Sequence, residues 1–137
     1  VEIGVSEIDL ADTIGTGTPD EIEVMITAVL GRLGMAWLPR LTLHMHDTFG
    51  RAAACVERAL RMGLRSFDGS AGGLGGCPYA STPERRAPGN IATTTLLEAV
   101  ERGGFATRVD KGRLAEAAML ARQLVGERGP PARRSEG

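Results

Sequence analysis

A short apolar stretch, a turn rich in glycine or aspartate and an amphipathic helix follow one another repeatedly along these 137 residues. That alternation leaves few folds open, because strands joined through helices run parallel in their sheet. Glu7 to Thr13 (EIDLADT) reads as a first strand, with Ile8 and Leu10 apolar and Gly15 and Gly17 opening the loop behind it. Thr18, Pro19 and Glu21 carry the spacing of a capping box, and Ile22, Met25, Ile26, Val29 and Leu33 then share one helical stripe that stops at Gly34. Leu41 to His46 (LTLHMH) alternates, so Leu43 and Met45 face one way and Thr42, His44 and His46 the other.

The pattern continues with an Ala-rich helix over Arg51 to Met62, ending at Gly63, and a third strand over Leu64 to Asp68 (LRSFD). A helix over Thr93 to Glu101 is expected to cap among Thr93, Thr94 and Thr95. Phe105 to Val109 is read as a fourth strand. Asp110 then caps a last helix with Leu114, Ala117, Ala118, Ala121, Leu124 and Val125 on one face. The expected fold is therefore α/β, with four βα units and parallel strands over residues 1–126. Residues 127–137 (ERGPPARRSEG) form a disordered tail with no large apolar side chain to bury. A complete (β/α)8 barrel takes about 250 residues, so this chain corresponds to about half of one.

Composition narrows the function. The 16 basic and 17 acidic groups leave a net charge of −1, so no excess of cationic charge marks the chain for nucleic acid or an anionic membrane. No apolar run reaches the length of a membrane span, and no signal peptide opens the chain. The expected location is cytoplasmic, although the chain opens at Val1 without a Met and a targeting segment upstream is compatible with it.

His44 and His46 are the only histidines, two apart on one strand, so both imidazoles reach the same side. Such a pair can hold one metal ion or simply pack on a sheet, and its place at a C-terminal strand end favours the metal. Asp47 either orients an imidazole or starts the loop. Gly72-Gly73-Leu74-Gly75-Gly76-Cys77 places four glycines in five residues just before a thiol. Such a sequence suits a loop that folds closely over a ligand, with Cys77 as its reactive group, or a plain linker. Cys55, among Ala52, Val56 and Ala59, reads as a core residue. Asn90 is an oxygen ligand or a turn residue, and Asp12 and Asp68 are strand-end carboxylates that serve either the site or the loop entry. Two histidines and side-chain oxygen suit Mg²⁺ or Mn²⁺, and Zn²⁺ is also compatible.

EIDLADTIGTGTP, LHMHDTFGRAAA, FDGSAGGLGGCPYA and GNIAT, in this order, resemble the C-terminal half of the 3-hydroxy-3-methylglutaryl-CoA lyases. These belong to a metal-dependent lyase and synthase family built on the TIM barrel. The resemblance covers about residues 3 to 125. HxHDT is shared across the wider family, whereas GLGGCPYA is specific to the lyase branch.

The resemblance implies the last four βα units of a barrel and an acyl-CoA substrate cleaved to acetyl-CoA and acetoacetate. His44, His46 and Asn90 become ligands of Mg²⁺ or Mn²⁺, Cys77 a proton-transfer group, and Asp12 and Asp68 active-site or supporting acids. It also implies a homo-oligomer at full length. Thr94 and Thr95 stand where the family carries acidic residues. The family's first strand contributes an Arg-Asp pair with no counterpart here, so the isolated chain is expected to be inactive. The alternatives are a related acyl-CoA or keto-acid synthase or aldolase, and a non-catalytic half-barrel.

Overall fold

The computed structural model describes residues 4–76 and 89–126. β1 (Ile8–Asp12) leads into helix α1 (Pro19–Leu33), a 3-10 turn over Met35–Arg40 and β2 (Leu41–Met45). α2 (Ala52–Arg61), β3 (Ser66–Asp68), α3 (Thr93–Arg102) and α4 (Lys111–Gly126) follow. The three strands form one parallel sheet in the order β1-β2-β3, with Leu10 opposite Leu43 and His44 opposite Asp68.

Local chemistry accounts for the boundaries. The Thr18 hydroxyl accepts from the Glu21 amide while the Glu21 carboxylate accepts from the Thr18 amide, which completes the capping box at the start of α1. Gly34 ends the helix at φ 86°, a backbone region that costs glycine nothing. α3 differs from expectation: it caps at Ala92 with no side-chain hydrogen bond.

The core lies wholly on the helix side of the sheet. Leu41, Leu43 and Met45 are buried against Ile22, Ile26 and Leu30 of α1 and Ala52, Cys55, Val56 and Ala59 of α2. Each of the larger side chains among them, the leucines, isoleucines, Met45 and Val56, contributes roughly 1.5–3 kcal/mol by leaving water. The opposite side of β2 carries Thr42 and His44, half-buried, and Thr42 donates to the Ser66 hydroxyl of β3 at 2.8 Å. Arg58 of α2 bridges Asp20 and Glu23 of α1 on the outer surface.

Two expectations need correction. Phe105 to Val109 is not a fourth strand. Those residues form an irregular connection, and Phe105 instead packs on the core with the Arg65 guanidinium over its ring at 4.3 Å. The place beside β3 is taken by the segment around Ala92, which makes a parallel bridge with Ser70. The described residues thus form an open three-stranded sheet rather than four complete strand-helix units. The last helix also buries less than its stripe suggests: Ala118 is buried, Leu114 and Ala121 are half-buried, and Leu124 and Val125 are exposed. Residues 77–88, which include Cys77, and residues 127–137, expected to be a disordered tail, lie outside the described residues.

Candidate metal centre

β-strand alternation aims Thr42 and His44 away from the core, and His46 follows just beyond the end of β2. The two imidazoles meet edge-on, with ring centroids 5.2 Å apart. His44 Nδ1 lies 2.7 Å from Asp68 Oδ1 on the neighbouring strand, a contact that follows from their register. A carboxylate on Nδ1 fixes the tautomer and leaves Nε2 as the ring's free lone pair, the usual support for a metal-binding histidine.

His46 is held differently. Its backbone bridges Asn90, and a side-chain hydrogen bond with Asn90 favours the protonated ring. Burial and the neighbouring His44 outweigh that bond and the Asp12 charge, so the His46 pKa lies below its ordinary value. His46 Nδ1 is buried without a partner among the described residues. A buried orphan nitrogen on a neutral imidazole is costly unless something coordinates it.

Sequence reasoning missed Asp9. It sits on the same side of β1, and a ligand atom from each of Asp9, His44 and Asp68 falls within 4.8 Å of the other two. Burial and the Asp68 carboxylate raise the Asp9 pKa, against a smaller lowering by His44. The signal was present in the alternation of EIDLADT, which puts position 9 two residues before Ala11, the partner of His44. The donors present, imidazole nitrogen with carboxylate and amide oxygen, fit a divalent cation.

The Asp12 and Asp47 carboxylates both hold backbone amides, and the Asp12 charge also acts on His46. The Asp12 carboxylate accepts the amides of Gly15, Thr16 and Gly17 at 3.0, 3.2 and 2.8 Å, shaping the loop that enters α1. Asp47 Oδ1 accepts the Ala52 amide at 3.0 Å, so it starts the loop and α2 rather than orienting an imidazole. Cys55 is fully buried, and burial pushes its thiol up to about 11. Cys77 lies outside the described residues, but the turn that leads to it is held on two sides. Asn90 Nδ2 donates to the Leu74 carbonyl at 3.1 Å, and Arg122 Nε of α4 donates to the Gly72 carbonyl at 3.3 Å. No helix among the described residues is long and apolar enough to cross a membrane.

The family model HMGL-like matches residues 1–121. A hydroxymethylglutaryl-CoA lyase of Bacillus subtilis (strain 168) is 40% identical over 126 residues, covering 92% of this chain and 40% of that protein. The hydroxymethylglutaryl-CoA lyase of Pseudomonas mevalonii is 48% identical over 111 residues, covering 80% of this chain and 34% of that protein. Among solved structures, the HMG-CoA lyase of Brucella melitensis superposes with a TM-score of 0.79 at 42% identity, over 90% of this chain and 41% of that one. An HMG-CoA lyase of Acinetobacter baumannii in complex with coenzyme A and 3-methylmalate gives 0.75 at 36% identity, over 91% and 39%. The chain spans about two fifths of the length of the relatives it matches.

Proposed function

The chain belongs to the HMGL-like family, and we propose that it forms part of a divalent-metal-dependent lyase that cleaves 3-hydroxy-3-methylglutaryl-CoA to acetyl-CoA and acetoacetate. The observation that carries this reading is the pair His44 and His46 at one strand end, the first backed by Asp68 and the second by Asn90. Substrate class follows from the relatives' names, from the A. baumannii lyase bound to coenzyme A and from the sequence GLGGCPYA.

In this proposal His44, His46 and Asn90 hold the ion, and Asp68 sets the His44 tautomer. A divalent cation bound there supplies Lewis-acid polarisation of the substrate oxygens. The tertiary hydroxyl loses its proton, with the half-exposed Asp68 carboxylate beside the metal-bound His44 as the group that takes it. The carbon–carbon bond then breaks, leaving a ketone and a thioester enolate, and Cys77 supplies the proton that the enolate takes up. Asp12 acts on the loop's shape rather than on substrate.

The test is product formation by the full-length protein. Acetoacetate and acetyl-CoA should appear only with Mg²⁺ or Mn²⁺ present, and His44→Ala or His46→Ala should reduce turnover roughly 100-fold or more, the cost of removing a key electrostatic group. Undiminished turnover in both variants refutes the assignment of the pair.

A further inference from the structure

We infer that Asn90 is a positioning residue that couples cation binding to the conformation of the glycine turn Leu74–Gly76, through a side-chain amide whose nitrogen is committed to that turn. The inference rests on the metal reading above, since it needs a cation beside His46. Asn90 lies beside His46, whose backbone bridges it, and its oxygen is the end of the amide that a cation there would take. Its nitrogen, which can only donate, is committed to the Leu74 carbonyl at 3.1 Å. One planar amide therefore fixes both ends together: a cation that captures the oxygen also fixes the direction of the nitrogen.

The turn is built to receive that nitrogen. Gly75 has φ +97°, and a Cβ there would stand 2.8 Å from Asn90 Nδ2, so a side chain at this position would displace the amide. Gly76 bridges Gly89, and a Cβ on Gly89 would overlap the Gly75 carbonyl oxygen. These glycines serve close approach to Asn90 and its neighbour as well as conformational freedom.

The near end of the turn is secured independently. Ser70 donates its amide to the Ile91 carbonyl, and the Ser70 carbonyl accepts from Gly73 and Thr93. Gly72 is pressed against α4, where its missing Cβ leaves 3.0 Å to the Ala118 carbonyl and its own carbonyl accepts from Arg122. Residues 70–73 are thus pinned whatever Asn90 does, whereas at 74–76 the one side-chain tether among the described residues is Asn90. The coupling should reach the second group and spare the first.

Amide exchange resolved by residue in the full-length protein, with and without Mn²⁺, tests this. In the wild type Mn²⁺ should slow exchange at Leu74–Gly76 by about fivefold, the scale of one hydrogen bond, and leave Ser70–Gly73 unchanged. Asn90→Asp keeps an oxygen for the cation but replaces the donor with an acceptor that repels the Leu74 carbonyl. It should bind Mn²⁺ at least as tightly as the wild type while losing the slowing. Gly75→Ala, which pushes the same amide aside, should also lose the slowing and bind Mn²⁺ more weakly than the wild type. Wild-type protein that binds Mn²⁺ with no change at Leu74–Gly76 overturns the coupling, as does Asn90→Asp that slows as fully as wild type. Wild-type protein that takes up no Mn²⁺ overturns the metal reading itself, and the coupling falls with it.

Discussion

Replacing Asp68 by Asn separates a supporting carboxylate from a direct ligand. The substitution keeps the shape but removes the charge that holds His44 Nδ1 at 2.7 Å. Removing such a support from a metal-bound histidine weakens metal affinity by roughly 10- to 100-fold. The environment selects within that range: the Asp68 side chain is 51% exposed and that of His44 25%, so water already screens the pair. The expected loss is therefore about tenfold, or about 1.4 kcal/mol. Isothermal titration of the full-length protein with Mn²⁺ measures it directly. Asp9→Asn, in the same experiment, should change affinity by less than about threefold, because Asp9 then acts as a solvent-screened neighbouring charge and not as a ligand. If Asp68→Asn leaves affinity untouched, His44 needs no carboxylate. If Asp68→Asn and Asp9→Asn each abolish binding, the cation sits among Asp9, His44 and Asp68, and the pairing of His44 with His46 is refuted.

Three further outcomes follow from packing and charge. The Cys55 thiol has a folded-state pKa of about 11 against 9.0 for the free group. Its contribution to stability is therefore complete below pH 9 and lost as pH rises to 11, by at most about 3 kcal/mol; urea midpoints across that window should fall more steeply for the wild type than for Cys55→Ala. Asp12→Ala strands three loop amides that water can partly satisfy, which should cost about 1–2 kcal/mol in urea unfolding, and a null effect would show that the loop holds itself. Leu43→Ala opens a void at a fully buried position and should destabilise by about 2–5 kcal/mol, with loss of cooperative unfolding as the severe outcome and no change as the refuting one.

What could be read from the sequence depended on whether the signal was local. The capping box of Thr18 and Glu21 involves four consecutive residues, and the alternation of Leu41 to Met45 needs only a period of two, so both were legible. The pairing of His44 with Asp68 needs the register of two strands 24 residues apart, which no periodicity gives. Asp9 escaped for the same reason, since a carboxylate inside a strand signals nothing until its neighbours are known. Phe105 to Val109 misled because an apolar pair next to a glycine has the composition of a strand, whereas Phe105 was anchoring the connection beneath Arg65. Asn90 looked like a turn residue on sequence, and only its contacts with His46 and Leu74 distinguish it from one.

The two sides of β2 answer to different demands at a spacing of one residue. Leu41, Leu43 and Met45 hold the helices on, while Thr42 and His44 face away from them. Mutational tolerance along this strand should accordingly alternate: odd positions limited by how much folded protein survives, even positions by what the survivors can do. Such a layout lets drift explore new specificities at 42 and 44 without drawing on the folding reserve. An insertion of a single residue would exchange the two roles at once, which makes the strand permissive to substitution and unforgiving of any change in length.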